Sequence, residues 1–152
     1  MQTTVVTRIN IAASQTAVFR YLAHLKYHYL WNPQIQRIST QEPLKLGSTY
    51  ESMSLVMGVK IKAKNTVTKF EPPRLLELEN RIGAVQYQAH FRLHGQLNKT
   101  TLVCSITLST DSNAFVFTKS LLKKLAQREL QTDMQALKIA VENQLEWQVN
   151  QP

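Results

Sequence analysis

The sequence predicts an α+β domain in which a curved antiparallel β-sheet packs against one long C-terminal helix. Three observations predict it. Apolar and polar residues alternate along most of residues 3–108. The links between alternating segments are too short for crossover helices, since parallel pairing takes about a dozen residues per connection. From about Asn113 the apolar period changes from 2 to 3.6. A chain of 152 residues, 43% of them hydrophobic, supplies one core, so residues 1–152 read as a single domain.

Residues 3–11 place Val5, Thr7, Ile9 and Ile11 opposite Val6, Arg8 and Asn10, the pattern of a half-buried strand. Ser14 offers an oxygen to the free amides of a first helical turn. Val18, Phe19, Tyr21, Leu22 and Leu25 follow at helical spacing, and a second short helix or turn covers residues 26–31. Pro33 ends it, because the residue before a proline avoids helical backbone angles. Residues 35–41 form a short strand that stops at Glu42-Pro43. Residues 49–57 continue the sheet, with Met53, Leu55 and Met57 on one apolar face. Gly58 turns the chain into Val59, Ile61, Ala63, Asn65 and Val67, which alternate with Lys60, Lys62, Lys64, Thr66 and Thr68. The lysine side belongs in solvent.

After Pro72-Pro73, Leu76, Leu78, Asn80 and Ile82 alternate with Glu77, Glu79 and Arg81. Gly83 makes the turn into Val85, Tyr87, Ala89, Phe91 and Leu93, opposed by Gln86, Gln88, His90, Arg92 and His94. Asn98-Lys99 is the next turn, and Leu102, Cys104, Ile106 and Leu108 mark the last apolar strand face. Over residues 115–147, Phe115, Leu122, Leu125, Leu130, Met134, Leu137, Val141 and Leu145 form a stripe. It is about 50 Å long at 1.5 Å per residue. Such a stripe buries against a partner, and the concave face of the sheet is the one large enough.

Several function classes drop out. A single cysteine, Cys104, excludes an internal disulfide framework and an all-cysteine metal site. It lies in a strand without an adjacent histidine and reads as a core thiol. The four glycines stand apart, so neither a phosphate loop nor a dinucleotide fingerprint is present. His24 with His28 and His90 with His94 read as surface or rim histidines rather than metal ligands. No cofactor and no metal are expected. The opening MQTTVVTRIN alternates instead of forming the apolar core of a signal peptide. No apolar run approaches membrane-spanning length, and a cytoplasmic location is expected.

Concave-face side chains line either a core or a cavity, and periodicity does not separate the two. The candidates are Met53, Leu55, Met57, Ile61, Ala63, Leu76, Leu78, Tyr87, Ala89, Phe91, Cys104, Ile106, Phe115, Leu122 and Met134. Together they describe a lining suited to an apolar or aromatic molecule. Asn65 and Asn80 interrupt apolar faces, and a buried amide is costly without partners. A ligand carbonyl or hydroxyl supplies one partner; a neighbouring strand, bulge or water supplies another. Tyr87 offers a phenolic hydroxyl. Tyr21, Tyr27, Tyr29 and Trp31 read either as a rim or as packing of the short helix. Glu77 and Glu79 share the face opposite Leu76 and Leu78 and read as exposed carboxylates.

The stretch V-V-T-R-I-N-I-A-A-S-Q-T-A-V-F-R-Y-L, followed by Tyr29 and Trp31-Asn32-Pro33, resembles the opening of the START-like (SRPBCC) superfamily. More narrowly, it resembles the polyketide cyclase/dehydrase and lipid-transport group. The Val18-Phe19 pair and the long final helix fit the same resemblance. It implies a helix-grip fold, with a curved seven-stranded antiparallel sheet, two short helices after the first strand, and a C-terminal helix gripping an apolar cavity. It also implies that Trp31 and Pro33 are structural, fixing the short helices against the sheet.

The expected function is binding of a small hydrophobic ligand, such as a lipid, an isoprenoid or an aromatic polyketide-like molecule. The cavity lies between sheet and C-terminal helix, with selectivity from Asn65, Asn80 or Tyr87. One alternative is a polyketide cyclase- or dehydratase-type enzyme in which the cavity orients a flexible substrate; no catalytic residue is identified for it. Another rests on the 18 Lys and Arg set against 10 Asp and Glu, a formal charge of +8. Lys60, Lys62, Lys64, Lys69, Lys119, Lys123 and Lys124 then form a basic surface for nucleic acid or an anionic membrane.

Overall fold

The computed structural model describes residues 2–56, 58–110 and 119–146; at 119, 121 and 122 it describes the backbone alone. In chain order the elements are β1 (Gln2–Ile11), α1 (Gln15–Ala23), α2 (Leu25–Trp31), β2 (Ile35–Ile38) and β3 (Thr49–Val56). Then follow β4 (Val59–Glu71), β5 (Leu75–Ile82), β6 (Val85–Gln96), β7 (Lys99–Thr110) and α3 (Lys119–Glu142). One seven-stranded sheet runs in the order β1-β7-β6-β5-β4-β3-β2. Every neighbouring pair is antiparallel.

Strands β3 to β7 form a meander closed by tight turns. Val56 pairs with Val59 and Ile82 with Val85, so each of these turns has a two-residue loop. Gly58 and Gly83 sit in those loops at φ of +79° and +57°. Two-residue hairpin loops favour glycine because their mirror-image turn types require positive φ. Strand β1 returns to the far edge and pairs with β7 from Gln2↔Ser109 to Ile11↔Thr100.

An open β1 edge would invite pairing with another chain. Helix α3 covers it. Gln127 Nε2 donates to the Val6 carbonyl at 3.2 Å, and Lys138 Nζ donates to the Asn10 carbonyl at 2.6 Å. A Glu142 carboxylate oxygen accepts from the Ala12 amide at 2.7 Å. The inner stripe of α3 buries Leu130, Met134, Leu137, Ala140 and Val141.

The short helices close one end of the concave face. Ser14 Oγ accepts from the Ala17 amide at 3.2 Å and starts α1. The Phe19 ring meets Phe70 edge-on at 5.6 Å, and Trp31 meets Phe91 edge-on at 6.0 Å. Trp31 Nε1 donates to the Tyr21 carbonyl at 3.0 Å. Tyr21, Tyr27 and Trp31 are buried, so packing rather than a rim accounts for them.

The structure corrects three sequence expectations. The hairpin places Ser54 opposite Ile61, Ser52 opposite Ala63 and Tyr50 opposite Asn65. Met53 and Leu55 pair with Lys62 and Lys60 and stand on the outer face, not the concave one. The cause is parity: a two-residue loop matches even residues of β3 with odd residues of β4, and directly opposed residues share a face.

Glu77 is on the outer face but is buried, at 6% exposure, instead of solvated. His90 Nδ1 lies 2.8 Å from Glu77 Oε2, while Thr68 Oγ1 and Gln88 Nε2 donate to Oε1 at 2.9 and 3.2 Å. Burial pushes this carboxyl up, but His90, Thr68 and Lys69 outweigh it and hold the group below its ordinary range.

The histidine pairs also divide. His28 is a core residue whose ring Nε2 donates to the Leu22 carbonyl at 2.7 Å, and burial lowers its pKa to about 4. His90 belongs to the Glu77 cluster and is half-buried, as is His24, while His94 is exposed.

Candidate functional site

Three rows of directly opposed residues run across the concave face. Leu76, Phe91 and Cys104 form the first, beside the Trp31 ring. Leu78, Ala89 and Ile106 form the second, and Asn80, Tyr87 and Leu108 the third. Burial is complete in the first row and partial at Ala89, Ile106, Asn80 and Tyr87. The rows therefore lead from a dry, closed end to a more open, more polar one.

The two asparagines have opposite circumstances, although they face each other across β4 and β5. Asn65 Nδ2 donates to the Tyr50 carbonyl at 3.2 Å and to Ser52 Oγ at 3.0 Å. The neighbouring strand thus satisfies it. Among the described residues, Asn80 Oδ1 is buried with no hydrogen-bond partner. Buried polar atoms are nearly always paired, and an unmade bond costs about 1–3 kcal/mol. Beside Asn80, burial and then Glu129 push the Tyr87 hydroxyl pKa up, which keeps it a neutral donor.

Helix α3 adds two carboxyl groups. Glu129 and Asp133 are four residues apart and share a face. Asp133 lies among the inward-facing Leu130, Met134 and Leu137. Burial, followed by the Glu129 charge, raises the Asp133 carboxyl to about 8. At neutral pH it is therefore mostly a protonated acid able to donate a hydrogen bond. Glu129 Oε1 accepts from Gln34 Nε2 at 3.0 Å. Pro33, Gln34, Leu125, Arg128, Glu129, Thr132 and Asp133 line a cleft of about 220 Å³ between α3 and the segment after α2. Burial, and then Asp133, drive the Cys104 thiol pKa up, so it is inert as a nucleophile.

Of the sequence candidates, Ile61, Ala63, Asn65, Leu76, Leu78, Asn80, Tyr87, Ala89, Phe91, Cys104 and Ile106 fall on the concave face. Met134 faces the same interior from α3. Met53 and Leu55 do not join them, while Met57, Phe115 and the Leu122 side chain lie outside the described residues. Sequence reasoning missed Gln34, Glu129 and Asp133. The signal for Asp133 is its place three residues after Leu130 and four before Leu137, inside the apolar stripe. Among the described residues, no group of three His, Cys, Asp or Glu side chains gathers to hold a metal. Nor is any described helix long and apolar enough to cross a membrane.

The same architecture occurs in solved structures. The Zhui aromatase/cyclase from Streptomyces sp. R1128 aligns with a TM-score of 0.81 at 14% identity, covering 95% of this chain and 96% of that one. A START superfamily protein from Mycobacterium smegmatis aligns at 0.77 and 16% identity, covering 93% and 99%. The TTHA0849 protein from Thermus thermophilus aligns at 0.79 and 14% identity, also covering 93% and 99%. These likenesses show the helix-grip fold. No curated protein matches the chain by sequence. The family model for polyketide cyclase/dehydrase and lipid transport proteins matches residues 2–142. With nearly the whole chain inside that match, the protein belongs to the polyketide cyclase/dehydrase and lipid transport family.

Proposed function

We propose that the chain binds one small hydrophobic molecule bearing a hydroxyl, seated between the concave face and α3. A lipid, an isoprenoid alcohol or a hydroxylated aromatic of polyketide type has this chemistry. The observation that carries the reading is Asn80 Oδ1, a buried acceptor without a partner among the described residues, on a face otherwise largely apolar. An acceptor calls for a donor, and a ligand hydroxyl is one. The apolar body of the ligand would lie over Leu78, Ala89 and Ile106. The Tyr87 hydroxyl and the protonated Asp133 are further polar groups for orienting it.

The test compares a hydroxylated ligand with its matched hydrocarbon in wild type, Asn80→Leu and Tyr87→Phe chains. Asn80→Leu is expected to weaken the hydroxylated ligand by up to about tenfold, the scale of one net hydrogen bond. The hydrocarbon should keep its affinity or gain. Equal losses for both ligands would count against a polar contact at Asn80.

The raised Asp133 carboxyl favours a second reading, an acid–base enzyme of the cyclase or dehydratase kind. A group titrating near the working pH is suited to transferring protons. Here Asp133 would give a proton to a substrate oxygen. Turnover that survives in Asp133→Asn would remove this role.

A further inference from the structure

We propose that the outer face of the sheet carries a second binding site, for a soluble diphosphate-bearing anion, in the groove formed by Arg37, Lys62, Lys64 and Arg81. The groove lies across β2 to β5, on the face opposite α3, and encloses about 520 Å³. Its register builds it. Arg37 pairs with Met53, and Met53 with Lys62, which sets two cations astride one methionine. Glu51 pairs with Lys64, and Lys64 with Arg81.

All four cations are exposed. None has an ion pair or side-chain hydrogen bond among the described residues, whereas Arg20, Lys69, Arg74 and Lys138 each reach a carboxylate. Among the described residues Glu51 is the single acid lining the groove, so the charge of its described lining is +3. Like charges directly opposed across strands, as at Lys64 and Arg81, destabilise a sheet. A bound polyanion offsets that repulsion.

The chemistry selects the anion. Two guanidinium groups match phosphate oxygens bidentately, and two lysines add point charge. A charge of +3 suits a diphosphate better than a single carboxylate. A recess admits a small solute more readily than a flat bilayer surface. Among the described residues no aromatic side chain lines it, so the stacking that single-stranded nucleic acid uses has no platform there.

Methyl NMR of the full chain with inorganic pyrophosphate at low salt tests the site. Met53 lines the groove and Met134 is buried on the other side of the sheet, so one methyl reports the site and the other controls for global change. A saturable shift at Met53 with Met134 unmoved is expected. By calorimetry, Lys62→Glu with Arg81→Glu should lose at least about tenfold in affinity, while Lys123→Glu with Lys124→Glu stays within about twofold. Added salt should weaken binding, since the cations are exposed. An unmoved Met53 at millimolar pyrophosphate overturns the proposal. So do equal losses in the two double variants, or binding to phosphatidylserine vesicles or an oligonucleotide without binding of pyrophosphate.

Discussion

Near pH 8, the Asp133→Asn variant is expected to be more stable than the parent chain by a few kcal/mol. Burial first, and then the Glu129 charge, raise the Asp133 carboxyl from 3.8 to about 8. Between those values the folded chain holds a proton that the unfolded chain has released. Each pH unit in that window removes up to about 1.4 kcal/mol of folding free energy. The contribution is therefore complete below about pH 4 and is lost as the pH rises through about 8. Asparagine keeps the shape and the donor but does not ionise. Denaturant titrations of both chains at pH 5 and pH 8 check this; the gap should widen with pH. A gap that is the same at both values would mean that Asp133 is already charged in the folded chain.

The second large effect falls at the closed end of the concave face. Trp31 is 5% exposed, donates to the Tyr21 carbonyl, and packs against Phe91 and His28. Trp31→Ala removes that packing and leaves a void, which costs about 3–5 kcal/mol for a buried tryptophan. In a chain of this size that lowers the melting temperature by about 10 °C or more. Trp31→Phe retains most of the ring and loses the N–H donor, so it should cost less. A Trp31→Ala chain that melts with the parent would show that the short helices do not seal the sheet.

These two residues illustrate what sequence makes legible. Trp31 stands in the Trp31-Asn32-Pro33 turn and is visible there as a structural residue. Asp133 is not, because a carboxylate within an apolar helical stripe is ordinarily a break in the stripe. Its meaning depends on what the sheet places opposite it. The strand faces of β4 to β7 follow from alternation, which is a local property. The face of β3 does not, since Met53 and Leu55 are apolar and yet share a side with Lys62 and Lys60. There the loop length decides, and hydrophobicity misleads. Asn65 and Asn80 make the same point for the site. Both interrupt apolar faces in sequence. A serine and a carbonyl on the next strand satisfy one, while the carbonyl oxygen of the other has no partner among the described residues. That difference lies in register and in side-chain reach across strands, not in periodicity. Glu77 follows the same logic on the outer face, where alternation places it correctly but His90, Thr68 and Gln88 close over it.

On this reading the concave side takes a hydrophobic molecule and holds it by a hydroxyl. Native mass spectrometry of the intact chain, titrated with isoprenoid alcohols and hydroxylated aromatics beside their matched hydrocarbons, tests it most directly. A one-to-one complex in the micromolar range is expected, with the hydroxylated member of a pair bound up to about tenfold tighter. A folded chain that forms no complex with any member, or that binds each hydrocarbon as tightly as its hydroxylated partner, would contradict it.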